Sequence, residues 1–192
     1  MRRIVAFVVA VCAVLSAFAD ERGVEVLQRV GRRYSALNSY SLAFDIKLPD
    51  NATSGGVLSV SSNKLYMKMA DNEIFVEDSV RYEVHSRQRE IIVDRVDAYD
   101  KESFNPLKGV EGLLANYNVE YVEAERVLRL APKSGGSDTL NIYIGVDGES
   151  VERVTMGKSG VTVYVGDVKY TQQQPMSFDR SRYVGFEIID FR

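Results

Sequence analysis

Segment after segment of this chain alternates an apolar residue with a polar one. Ser41–Leu48 reads S-L-A-F-D-I-K-L, Lys64–Met69 reads K-L-Y-M-K-M and Thr139–Ile144 reads T-L-N-I-Y-I. In an extended strand successive side chains point to opposite faces, so this period of two gives one apolar and one polar face. On a helix the same residues would be scattered around the circumference. The pattern predicts an antiparallel sheet with one buried face. The chain holds one histidine, one cysteine and no tryptophan. A broad apolar face with so few nucleophiles, bases and metal ligands points to a container rather than a catalyst.

Residues 1–19 are set aside from the fold. Arg2 and Arg3 form a positive start, Ile4 to Leu15 an uncharged apolar run, and Ala17-Phe18-Ala19 a small-x-small cleavage site, the pattern of a cleaved Sec signal peptide. The expected mature chain begins at Asp20. The run is too short for a convincing membrane span, so no stable membrane insertion is expected. Cys12 lies inside the run after Val11, which is not the small residue that an acylated cysteine requires. The mature chain therefore has no disulfide and no thiol chemistry, which suits an exported domain with a sufficient core of its own.

Residues 20–192 have the length of a single domain. Formal net charge is −3, and two of the 24 basic residues leave with the signal. No basic stripe with interleaved aromatics appears, which argues against a nucleic-acid partner.

Two helices punctuate the predicted sheet. Val24, Leu27, Val30, Tyr34 and Leu37 recur at three- and four-residue steps, predicting an amphipathic helix over about 23–37. A second opens at Asn105-Pro106, an N-cap followed by proline at the first helical position. Its apolar face is Leu107, Val110, Leu113, Leu114 and Tyr117, and Gly109 and Gly112 weaken it by about 1 kcal/mol each relative to alanine. Such a helix serves equally as a movable lid or a fixed cover. Strands are expected at 41–48, 56–61, 64–70, 73–77, 80–86 and 89–95, then at 118–123, 126–131, 139–146, 150–157, 160–170 and 185–191. Asp50-Asn51, Ser62-Asn63, Asp71-Asn72, Asp78-Ser79 and Asp147-Gly148 supply turn chemistry. The fold class is mainly β with two or three helices (α+β): a curved antiparallel sheet forming an open, incomplete β-barrel, with helices covering an apolar cavity.

Catalysis has no good candidate. His85, in Tyr82-Glu83-Val84-His85-Ser86, reads as a solvent-facing strand histidine with no nucleophile or orienting carboxylate at a telling spacing. Asp94, Asp97 and Asp100 do not form a calcium loop of the EF-hand type, and the pair Glu77-Asp78 is what an acid-rich chain produces by chance. No metal and no cofactor is expected, nor enzyme activity. The apolar face remains. Leu42, Phe44 and Ile46, then Leu58 and Val60, then Leu65, Met67 and Met69 line neighbouring strands, with Ile142 and Ile144 further along. Methionines are adaptable packers, common where varied apolar ligands bind. This face is either an ordinary core closed by the helices or an incompletely filled cavity.

The order of elements resembles the LolA-type periplasmic carriers of outer-membrane lipoproteins, over essentially the whole mature chain. The resemblance rests on Tyr34-Ser35-Ala36-Leu37-Asn38-Ser39-Tyr40 closing the first helix, a strand containing Phe44, the Gly-initiated Gly56-Val57-Leu58-Ser59-Val60, and Lys64–Met69. It continues through Ile74–Val93, Asn105-Pro106-Leu107, Val119-Glu120-Tyr121 and the closing Phe186-Glu187-Ile188-Ile189-Asp190-Phe191-Arg192. It implies a Gram-negative periplasmic protein whose cavity holds lipoprotein acyl chains beneath helical covers. The same resemblance implies an inner-membrane lipoprotein-releasing complex and an outer-membrane acceptor as partners. The expected cavity and lid residues are Leu42, Phe44, Ile46, Leu58, Val60, Leu65, Met67, Met69, Leu107, Val110, Leu113, Leu114, Ile142 and Ile144. The expected function is a carrier ferrying lipoproteins from the inner to the outer membrane, or a sensor or adaptor of the same fold without transport activity. Where the family carries an Arg-Pro pair this chain has Ser61-Ser62-Asn63-Lys64, so no latch residue transfers. The family's frequent tryptophan is replaced by Tyr82.

Overall fold

A computed structural model of the chain describes residues 20–61, 64–96, 109–134, 138–171 and 173–192. Helix α1 spans Glu21–Ser35, with Glu21 in its first turn and Arg32 and Arg33 in its last, charges that suit the helix dipole. Its buried stripe is Gly23, Val26, Leu27, Val30, Gly31 and Tyr34. Val24 is only half-buried, so the stripe is rotated slightly from the predicted one. Leu37 lies beyond the helix end yet still packs on the core. Helix α2 spans Val110–Asn116. The predicted helix start at Asn105-Pro106, and with it Leu107, lies outside the described residues.

In chain order the strands are β1 (Ser39–Lys47), β2 (Thr53–Ser61), β3 (Lys64–Met69), β4 (Asn72–Glu77), β5 (Val80–His85) and β6 (Glu90–Arg95). After α2 follow β7 (Tyr117–Val122), β8 (Val127–Pro132), β9 (Leu140–Ile144), β10 (Val151–Met156), β11 (Thr162–Val165), β12 (Lys169–Tyr170) and β13 (Glu187–Asp190). They form one curved sheet in the order β13-β6-β5-β4-β3-β2-β1-β11-β10-β9-β8-β7, with β12 also on β1. Tight turns join most neighbours. Asn51, Ala70, Asp78, Arg89, Arg126 and Gly148 take the left-handed backbone such turns require.

The sheet is open, as expected: among the described residues its end strands β13 and β7 do not pair with each other. Two features depart from the expected antiparallel arrangement. One neighbour pair is parallel: β13 runs alongside β6 in register Glu187↔Glu90 to Asp190↔Val93. A parallel return needs a long crossover rather than a hairpin, and the chain makes it through β7 to β12. The expected strand 160–170 is broken into β11 and β12, both on β1. Val165 pairs Phe44 and Lys169 pairs Ser41, so this side carries one residue more than β1 does, a bulge. At the break the Gly166 N–H donates to the Ala43 carbonyl at 2.8 Å, and a Cβ on Gly166 would lie 2.8 Å from that same oxygen.

Helix α1 packs across β7 and β8, and α2 packs on α1 and β7, so both helices lie on one face of the sheet. That helix-bearing face and the opposite face each carry a buried apolar cluster.

Candidate functional site

Register fixes which side chains share the helix-bearing face. Tyr40, Val60, Leu65 and Val76 form one row across β1 to β4. Leu42, Leu58, Met67 and Ile74 form the next, and Phe44, Gly56, Met69 and Asn72 a third. Leu42, Phe44, Val60 and Leu65 are buried, while Ile46, Leu58, Met67 and Met69 are partly buried and packed against them. A second cluster lies under α1, where Val26, Leu27, Val30 and Tyr34 meet Val119, Leu128, Leu130, Ile142, Ile144 and Val151, with Val110, Leu113 and Leu114 of α2 at its margin. The predicted lining thus divides between two clusters, bridged by Leu37, Val165 and Val168, which touch both.

Three local devices hold this arrangement. A β-bulge at Glu152 lets Ile144 pair Val151 while Tyr143 pairs Arg153, so Val151 and Val154 both pack toward the helix. The Val151 N–H donates to the buried Tyr34 hydroxyl at 3.1 Å, and burial pushes that phenol's pKa up. Glycines permit two close approaches: a Cβ on Gly31 would run into the Val110 side chain, where α1 meets α2, and a Cβ on Gly56 would run into the Phe44 ring. Phe44 lies across its cross-strand partner because that partner has no side chain.

Beyond β4 the same face turns polar. Val76 is followed across the sheet by Arg81 and Asp94, Ile74 by Glu83 and Ile92, and Asn72 by His85 and Glu90. Arg81 Nη2 donates to Asp94 Oδ2 at 3.2 Å, and His85 Nε2 lies 3.2 Å from Glu83 Oε1. His85 is therefore no solvent-facing side chain: it is 22 % exposed and paired to a carboxylate two residues back on its own strand. The apolar face ends against a band of charge.

The opposite face carries a cluster that the alternation alone does not reveal. Tyr66, Phe75, Val84, Ile91, Val93 and Tyr183 are buried there, with Tyr82, Phe178 and Phe186 packed against them. Residues 177–186 lie over β3 to β6 as a strap, which leads into the edge strand β13. Phe178 stacks on Tyr82 with ring centres 4.1 Å apart and also stacks on Tyr183. Beneath the strap, Glu73 is 7 % exposed and accepts the hydroxyls of Tyr66 (2.7 Å) and Tyr183 (2.9 Å), with Arg182 at 3.6 Å. Burial first, and then the bonded carboxylate, push the Tyr66 phenol up to about 12 and the Tyr183 phenol up as well. Tyr82, at the position of the family's tryptophan, is thus half-buried under the strap rather than displayed. Glu77 is structural too, accepting the Phe178 N–H at 3.1 Å. A usable signal for this second face was present in the unbroken apolar triplets Ile74-Phe75-Val76 and Ile91-Ile92-Val93, since a strand buried on both sides does not alternate.

Among the described residues no group of three or more histidines, cysteines, aspartates or glutamates is placed to hold a metal ion. Asp97 and Asp100 lie outside the described residues. Nor is any described helix long and apolar enough to cross a membrane.

Neither a comparison with protein-family models nor one with curated proteins finds a match. Solved structures do match. An uncharacterized conserved protein from Thermus thermophilus superposes with a TM-score of 0.53 at 9% identity, over 86% of this chain and 97% of that one. MucB in the Pseudomonas aeruginosa MucA/MucB complex gives 0.50 at 15% identity over 81% of this chain, which spans only 59% of its partner in the comparison. A LolA superfamily protein from Nitrosomonas europaea also matches, at 11% identity and a TM-score of 0.38. The likeness to the first two is one of fold.

Proposed function

We propose that this chain is an envelope protein that binds the acyl chains of lipids or lipoproteins on its helix-bearing face. The observation that carries the reading is the partly uncovered apolar face on β1 to β4. Leu58, Met67, Met69 and Ile74 are only partly buried there, whereas the described helix contacts fall mainly on β7 and β8. Each CH₂ transferred from water is worth about 0.8 kcal/mol, so a face of this composition rewards a long acyl chain. Its methionines adapt to chains of different shape. The charged band of Arg81, Glu83, His85 and Asp94 at the end of that face suits an amphiphile whose polar end remains near water.

In the fullest form of this reading the chain is a non-enzymatic carrier. After cleavage of residues 1–19 it works in the periplasm of a Gram-negative cell, taking lipoproteins from an inner-membrane releasing complex to an outer-membrane acceptor. Phe44, Ile46, Leu58, Met67 and Met69 line the acyl site, while Val110, Leu113 and Leu114 belong to its cover. A second reading, a sensor or adaptor without transport, draws support from the fold it shares with MucB, which was solved in complex with MucA.

The test is photo-crosslinking from Phe44, Met67 and Leu114 to a tri-acylated lipopeptide, read by mass spectrometry. Adducts from Phe44 and Met67 are expected. Absence of adducts, together with protein that leaves envelopes empty of acylated cargo, overturns acyl binding. Passage of the bound lipopeptide from donor to acceptor vesicles then selects the carrier, and retention selects the sensor or adaptor.

A further inference from the structure

The opposite face holds a cleft that acyl binding does not use. It encloses about 350 Å³ between β1 to β3 and the segment that follows β12, near the lower end of the range for small-ligand sites. Its floor is one cross-strand row, Ser41–Ser59–Tyr66. Its wall is Thr171 and residues 173–176, including Gln174 and Met176.

We infer that this cleft binds a neutral sugar residue. The lining supplies serine and threonine hydroxyls and glutamine amides, each able to donate and to accept, as sugar hydroxyls require. Among the described residues no lysine, arginine or carboxylate lines it, and the nearest cation, Arg182, is engaged with Met176 Sδ outside the lining, so a charged ligand would lose its hydration without a partner. Accessible apolar surface comes from Met176, which is 45% exposed, beside the edges of the buried Tyr66 ring and Pro175. That surface matches the C–H face of a pyranose. The Tyr66 hydroxyl is committed to Glu73, which fixes the ring in the cleft floor.

The site is also preformed, which lowers the entropy cost of binding. Thr171 N–H donates to the Ser39 carbonyl at 3.3 Å, and Gln173 N–H to Thr171 Oγ1 at 3.0 Å. Beyond the wall, Lys64 Nζ donates to Ser177 Oγ at 2.8 Å. One residue pair further along the same face, opposite Ser39, the buried Ser61 hydroxyl has no hydrogen-bond partner among the described residues. An extended peptide fits less well, because β1, β2 and β3 are each paired on both sides and leave no strand edge for it to extend.

The test is saturation-transfer NMR on the whole protein with methyl glucoside, N-acetylglucosamine, glucuronate and a short Pro-Gln peptide. Expected are transfer to the neutral sugars and about fivefold weaker binding in Ser59→Ala and in Gln174→Ala, the effect of one neutral hydrogen bond. Gln174 is exposed, so its variant tests the site even if Ser59→Ala unfolds. Binding of the tri-acylated lipopeptide should not change in either variant. No sugar binding, binding indifferent to both substitutions, or preference for glucuronate or the peptide overturns the inference.

Discussion

Tyr183→Phe probes the buried carboxylate that ties the C-terminal strap to the sheet. The substitution removes one hydroxyl, 2.9 Å from Glu73 Oε2, and keeps the ring that stacks on Phe178. A hydrogen bond to a charged group contributes about 1.5–3 kcal/mol net. Glu73 retains Tyr66 at 2.7 Å and Arg182 at 3.6 Å, so it is not left bare and the lower part of that range applies, about 1.5–2 kcal/mol. In a chain of this size that corresponds to a fall in Tm of about 3–8 °C. Urea unfolding followed by circular dichroism measures a global loss, and hydrogen exchange at Glu187 and Phe191, whose N–H groups bond Arg89 and Val93, measures local release of the strap and the edge strand it leads into. If the strap opens by itself, exchange there accelerates about tenfold while the urea midpoint holds. A double-mutant cycle with Glu73→Gln isolates the pair, and its coupling should reach about 1 kcal/mol. A variant within about 0.5 kcal/mol of wild type in urea, with unchanged exchange, would refute the claim that Glu73 anchors the strap.

Three further outcomes are expected. Gly31→Ala should destabilise by about 1–3 kcal/mol through collision with Val110, even though alanine favours an isolated helix by about 1 kcal/mol; a raised Tm would show that α2 does not pack closely there. Gly56→Ala should cost a similar amount, because the new Cβ meets the Phe44 ring and lies 2.7 Å from the Lys68 carbonyl, and it should lower the crosslinking yield from Phe44. The raised Tyr66 and Tyr183 pKa values set the alkaline limit: the unfolded phenols ionise near about 10, and Tyr66 holds its proton to about 12. Their contribution is complete below about pH 10 and is lost as pH climbs towards about 12. Tyr183→Phe should flatten that loss in urea titrations, and an unchanged slope would contradict it.

Element order and the make-up of the helix-bearing face were legible in the residues themselves. Leu42, Phe44 and Ile46 on β1, and Leu65, Met67 and Met69 on β3, alternate with polar neighbours, and alternation is a local property that the pleat converts directly into a face. The stripe on α1 is local in the same way, since a 3.6-residue period decides it. Tertiary structure decided the rest. That β13 returns to lie parallel to β6 depends on a crossover through β7 to β12, which no local pattern encodes. The strap is likewise invisible to any local pattern, because Glu73 and Tyr183 are 110 residues apart. A carboxylate between a lysine strand and an apolar run reads as solvated until Tyr66 and Tyr183 converge on it. Periodicity determines the direction of a side chain, and only the long-range return of the chain determines what that side chain meets.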